Sequence, residues 1–167
     1  MRMTVVVLTF LIAATAFAQQ DKPNSFSVFL GDPTYLSDAQ GREIDGQFGV
    51  ALQRMFAPHF SAEIAVSHET VLFADRSVRS GFFGNRRVGF TPVDLSARYH
   101  FPNESRWKPY LGVMTRYVDG ETFVGANGGV LWQFRPTLGL RFDGKALVSS
   151  SGQGTHLLHS VGLSWRF

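Results

Sequence analysis

The sequence predicts an all-β chain, a closed antiparallel up-and-down transmembrane β-barrel of about eight strands. Three observations point to it. Apolar and polar residues alternate with period two in segment after segment, aromatic side chains gather at one end of those segments, and short connections recur at that end. Composition agrees: 16 Phe, 3 Trp and 4 Tyr stand among 17 Gly, and no stretch after residue 18 reads as a long amphipathic helix.

The elements follow in order. Residues 25–30 make a short first strand, and 46–54 set Phe48, Val50 and Leu52 against Gly49, Ala51 and Gln53. Residues 60–68 set Phe60, Ala62, Ile64 and Val66 against Ser61, Glu63, Ala65 and Ser67. Residues 93–101 give the clearest alternation, with Val93, Leu95, Ala97, Tyr99 and Phe101 opposite Asp94, Ser96, Arg98 and His100. Residues 109–118 and 124–134 supply the fifth and sixth strands. In 138–148, Leu138, Leu140, Phe142, Ala146 and Val148 oppose Arg141, Asp143 and Lys145. In 155–167, Leu157, Val161, Leu163, Trp165 and Phe167 oppose His156, Ser160, Ser164 and Arg166. Several of these approach the 9–11 residues that a tilted strand needs to cross a bilayer.

Connections distinguish the two ends. Ala57-Pro58, Arg135-Pro136 and the compact 102–108 link join strands on one side, while 31–45 and 69–89 read as longer loops on the other. The links near 119–123 and 149–154 are short as well, so the first two loops carry the asymmetry. Phe56, Phe60, Tyr99, Phe101, Trp107, Tyr110, Trp132, Phe134, Trp165 and Phe167 fall at the short-turn end. Phe48, Phe90, Tyr117 and Phe123 suggest a sparser girdle at the other. Amphipathic rings collect at headgroup level because one edge is apolar and the other can hydrogen-bond. A soluble lipocalin-like ligand-binding barrel shares the alternation but keeps its apolar face inside. It gives no reason for all three tryptophans to gather at one rim.

The first residues carry an export signal. Arg2 forms a short positive region, an apolar run follows, and Ala16-Phe17-Ala18 matches a cleavage site, so residues 1–18 read as a signal peptide. Residues 19–23 form a short leader, and 24–167 form the barrel domain. The formal charge of +3 loses Arg2 on cleavage and becomes +2, with signs mixed along the chain, which gives no nucleic-acid footprint. The chain has no cysteine, so stability must come from a core, a closed sheet or the bilayer.

The signal segment, the Pro-containing turns and the terminal run Ser160-Val161-Gly162-Leu163-Ser164-Trp165-Arg166-Phe167 resemble those of small bacterial outer-membrane β-barrel proteins, the OmpA-like and OmpW-like eight-stranded group. The resemblance implies an outer-membrane location and a monomeric barrel in contact with lipid and lipopolysaccharide. It also implies that Val161, Leu163, Trp165 and Phe167 form the assembly signal read by the barrel-assembly machinery. A structural, surface-contact or small apolar solute passage role follows from it.

On the polar face, Glu63, Asp94, Arg98, Arg116, Arg141, Asp143 and Lys145 are expected to form a charged network inside a narrow lumen, since burying charge is costly unless it is paired. Arg76, Arg79, Arg86 and Arg87, around Gly81-Phe82-Phe83-Gly84, are candidates for lipopolysaccharide contact, because guanidinium pairs well with phosphate oxygens. No cofactor motif is present. His156 and His159 have opposite strand parity, so the histidines do not propose a metal site. Gly125-Ala126-Asn127-Gly128-Gly129 lacks the Lys-Ser/Thr ending of a phosphate loop and reads as small residues relieving crowding. Ser67-His68-Glu69 has the residue types of a hydrolase, but neighbours on a strand point to opposite faces. The chain is therefore expected not to be an enzyme, with a barrel-embedded lipid-modifying hydrolase as the catalytic alternative.

Overall fold

The computed structural model describes residues 23–35, 42–74, 85–151 and 155–167. The signal segment and most of the leader lie outside them. The strands are β1 (Asn24–Tyr35), β2 (Arg42–Ala57), β3 (Phe60–Ala74), β4 (Asn85–Phe90), β5 (Val93–His100), β6 (Trp107–Val118), β7 (Glu121–Arg135), β8 (Leu138–Ser149) and β9 (Thr155–Arg166). Sequential strands pair antiparallel except β4 and β5, which both pair with β3, and β1 pairs with both β2 and β9, so the sheet closes on itself. Backbone hydrogen bonds exchanged between Asn24 and Phe167, at 3.2 and 2.9 Å, seal the seam.

Nine strands make eight staves. β4 and β5 lie end to end along the same edge of β3, β4 opposite Glu69 to Ala74 and β5 opposite Phe60 to Val66. The break falls at Thr91-Pro92. Proline has no N–H to continue the ladder, yet its carbonyl still accepts from the Ser67 amide at 3.2 Å.

Several staves run longer than the sequence suggests. Strand structure extends through 31–35, 42–45, 69–74 and 85–90, where loops are predicted. Asp32 to Tyr35 pair with β9, while the β1–β2 register stops at Gly31↔Gln47. A one-sided stretch tolerates Pro33, which supplies no donor, and a register shift between Ile44 and Gly46 absorbs the turn-like Asp45-Gly46 pair. The β6–β7 link is tighter than predicted: only Asp119 and Gly120 turn, both at positive φ (48° and 84°), as a two-residue hairpin requires.

Side-chain polarity is inside-out. Leu95, Phe142 and Leu163 are 43%, 41% and 49% exposed, whereas Asp94, Arg141 and Asp143 are 5%, 4% and 5% exposed. A water-soluble carrier barrel would show the reverse. With the backbone satisfied by closure and the oily face outward, this is a transmembrane β-barrel.

At the rim where β1 begins and β9 ends, aromatic rings touch in series: Phe56–Phe60, Phe60–Tyr99, Tyr99–Phe101, Trp107–Trp132, Trp132–Phe134 and Trp165–Phe167. Three predicted girdle members belong elsewhere; Phe90 is the cross-strand partner of the lumen-facing Glu69 and shares its inward face. Tyr110 and Phe123 are buried in the lumen, 4% and 3% exposed. Tyr110 shares strand parity with Arg116, and Phe123 is the cross-strand partner of Arg116, so both face inward with it. Phe48 and Tyr117 do face outward.

Candidate functional site

The lumen holds the chemistry. The inward row of β8 passes through its layers in order: Arg141, Asp143, Lys145, then Leu147, all buried. All seven predicted network residues meet inside, sorted into two tiers.

The tier nearer the termini is centred on Glu63. Arg98 holds it with two bonds of 2.6 Å (Nη1 to Oε2, Nη2 to Oε1). Arg141 donates Nη2 to Oε1 at 3.0 Å and Nη1 to Oε2 as well. Arg141 Nε also reaches Asp143 Oδ2, and Arg98 Nη2 stands 3.8 Å from Asp143 Oδ1. Tyr110 donates its hydroxyl to Asp143 Oδ1, and its ring lies 4.9 Å from the Arg98 guanidinium carbon. With its amide turned to suit its neighbours, Asn127 accepts from Arg98 Nε and Nη2 at 2.9 and 3.1 Å.

The second tier is centred on Arg116, 1% exposed. It forks onto Asp94 at 2.7 and 3.0 Å and reaches Glu69 at 2.8 Å. Lys145 Nζ donates to Asp94 Oδ2 at 2.7 Å, and Gln47 Nε2 donates to Glu69 at 2.7 Å and to Ser67 Oγ at 2.9 Å. Each tier contains two carboxylates and two cations, so each is neutral when all are ionised. Mutual pairing with extra hydrogen bonds is the condition under which buried charge persists.

Glu69, Gln47, Tyr110 and Asn127 are network members that the sequence reading misses. Continuing the β3 parity from Ser67 by two residues would have found Glu69.

Beyond Lys145 the lumen turns apolar, where Met114, Phe123, Leu147 and Leu158 pack together with Val118 beside them. Across the barrel, Phe29 is buried with Ala51 and Ala65 and lies under Lys145, 5.5 Å from its ammonium. Small residues make room for these fillers. A Cβ on Gly129 would stand 2.6 Å from the Tyr110 hydroxyl, and one on Gly49 would stand 2.6 Å from the Phe29 ring.

The other candidates separate. Ser67 and Glu69 face the lumen, whereas His68 faces outward against the Phe48 ring at 5.5 Å. A different serine–histidine contact exists at the terminal end, Ser61 Oγ to His100 Nε2 at 2.8 Å, with Gln53 Nε2 3.1 Å from the same nitrogen. Ser61 is fully buried there. Among the described residues, no cluster of three or more His, Asp or Glu side chains is placed to hold a metal. Arg86 and Arg87 lie on β4 opposite Phe73 and Leu72, within a strand and not a loop, while Arg76 and Arg79 fall outside the described residues. Val161, Leu163, Trp165 and Phe167 line the outward face at the end of the chain, each 45–57% exposed.

No protein-family model and no curated protein matches the chain. Solved structures do. A de novo designed transmembrane β-barrel superposes with a TM-score of 0.60 at 12% identity, covering 89% of this chain and 98% of the design. The outer membrane protein OprG from Pseudomonas aeruginosa gives 0.56 at 14% identity, with the same coverage of 89% and 98%. The attachment invasion locus protein Ail of Yersinia pestis, in complex with the heparin analogue sucrose octasulfate, gives 0.53 at 11% identity, covering 86% of this chain and 96% of that one. Identities this low establish the architecture alone: an eight-stave transmembrane barrel.

Proposed function

We propose that the chain is exported to a bacterial outer membrane and serves there as a closed, non-enzymatic barrel whose work is structural and lies at its outer surface, in contact with lipopolysaccharide. The observation that carries this reading is the filled lumen: two neutral ion-paired tiers and an apolar cluster occupy the axis. Eight strands enclose an interior just wide enough for side chains. The outward row Val161, Leu163, Trp165 and Phe167 supports recognition by the barrel-assembly machinery. Arg76, Arg79, Arg86 and Arg87 supply guanidinium groups for lipopolysaccharide phosphates.

Planar-bilayer recording on the refolded protein is the test, with no open-pore current steps expected; a steady ohmic conductance through single barrels would overturn the proposal. For the surface contact, replacing the four arginines by Ser should weaken lipopolysaccharide retention on the purified barrel, and unchanged retention discards that part. A second reading, passage of a small apolar solute, is favoured by the Met114–Phe123–Leu147–Leu158 cluster. It requires an exit through the wall above the charged tiers, and uptake of an apolar solute by barrel-loaded vesicles would establish it.

A further inference from the structure

Arg98, Arg116, Arg141 and Lys145 each contact a carboxylate in the middle of the lumen. Arg166 differs. It sits on the inward row of β9, two residues beyond the buried Ser164, and is half-buried. Among the described residues its side chain has no ion-pair or hydrogen-bond partner. It lines a cavity of about 260 Å³ at the end of the lumen where β1 begins and β9 ends. That space is well above what a single water needs and is enough for a small oxyanion with part of its hydration.

The cavity wall is one-sided in charge. Arg166, Lys108, His59 and His100 line it, together with amide and hydroxyl donors such as Asn24 and Ser25, and among the described residues no Asp or Glu does. Lys108 donates to the Asn103 carbonyl, a neutral partner that leaves its charge unmatched. Glu63, which could otherwise answer a nearby cation, already carries Arg98 and Arg141.

We propose that this inner-mouth cavity is an anion site. It takes the oxyanion, carboxylate or phosphate, of a soluble ligand arriving from the side of the termini, with the Arg166 guanidinium as its fork and Lys108 as the second charge. A planar guanidinium offers paired N–H donors matched to either oxyanion, and a half-desolvated cation gains most from such a partner.

The experiment is an NMR titration of the full mature chain refolded in zwitterionic micelles, at constant ionic strength. Inorganic phosphate and acetate are the soluble probes, chloride is the control, and phosphatidylglycerol doped into the micelles is the lipid arm. Saturable shifts confined to the Arg166 side chain, His100 and Ser25, caused by phosphate or acetate, are expected. Arg166→Gln should reduce the affinity at least about tenfold, a loss of roughly 1.4 kcal/mol, and Lys108→Gln should weaken it several-fold. Gel heat-modifiability checks that each variant is folded. Should Arg166→Gln fail to refold, Lys108→Gln decides, because it lies on a different stave. Equal shifts with chloride, a response to phosphatidylglycerol alone, or unchanged titrations in the folded variants would each overturn the proposal.

Discussion

The two ends of the lumen are built on opposite chemistry. Outward of Lys145 the interior is closed by thioether, ring and aliphatic packing around Leu147, which is 0% exposed. At the terminal end it opens into a polar cavity lined by Arg166 and Lys108 and, among the described residues, by no Asp or Glu. Between them, four cations and four carboxylates pair off completely. Pairing is therefore enforced where water is shut out and relaxed where water can enter, as expected if desolvation decides whether a charge needs a partner.

Substitutions can break or sharpen that contrast. The largest effect should come from Glu63→Ala, which leaves Arg98 and Arg141 both facing a lost carboxylate. A loss of about 3–5 kcal/mol of unfolding free energy is expected, read from urea titration of the protein refolded in lipid vesicles. A change below about 1 kcal/mol would mean that the tier is wetter than its burial implies. Next is Leu147→Ala, which removes packing with no charge involved; about 3 kcal/mol should be lost, with the bilayer current still closed because both charged tiers remain. Gly129→Ala forces a Cβ toward Tyr110 and the Phe142 carbonyl, and about 2 kcal/mol is expected from overpacking. The smallest effect belongs to the outer surface. Trp107→Ala removes the stacked contact with Trp132, whose ring centroids lie 5.7 Å apart. About 1 kcal/mol beyond the area term should go, measured by the same titration.

Period-two alternation made the wall legible. Once Asp94, Arg141 and Asp143 share parity with small polar residues, and Leu95, Phe142 and Leu163 with aromatic ones, the faces follow from strand geometry alone. The same rule, applied to 109–118 and 124–134, would have turned Tyr110 and Phe123 inward. Near a strand end the girdle pattern and parity disagree, and both rings follow parity. Glu69 escaped because Thr70 and Val71 blur the alternation just where β3 continues. What no local pattern contains is who pairs with whom. Glu63 reaches Arg141 from 78 positions away, a contact fixed by closure and stagger of the whole sheet. Gly49 and Gly129 likewise read only as small. Their reason, the rings of Phe29 and Tyr110 lying against them, exists only in three dimensions.

The interrupted stave at Thr91-Pro92 has a further consequence. β5 is hydrogen-bonded on both sides, to β3 and to β6, whereas β4 has a single neighbour, β3, among the described residues. Among the described residues no strand answers the N–H and C=O groups along its second edge, and acyl chains offer them nothing. Ladder bonding on both sides begins at the Val93↔Tyr117 pair, the level at which the outward-facing Tyr117 ring stands, and from there inward the described wall offers an oily layer no open edge. The ladder thus serves as a depth gauge, marking how far the molecule sinks into its bilayer.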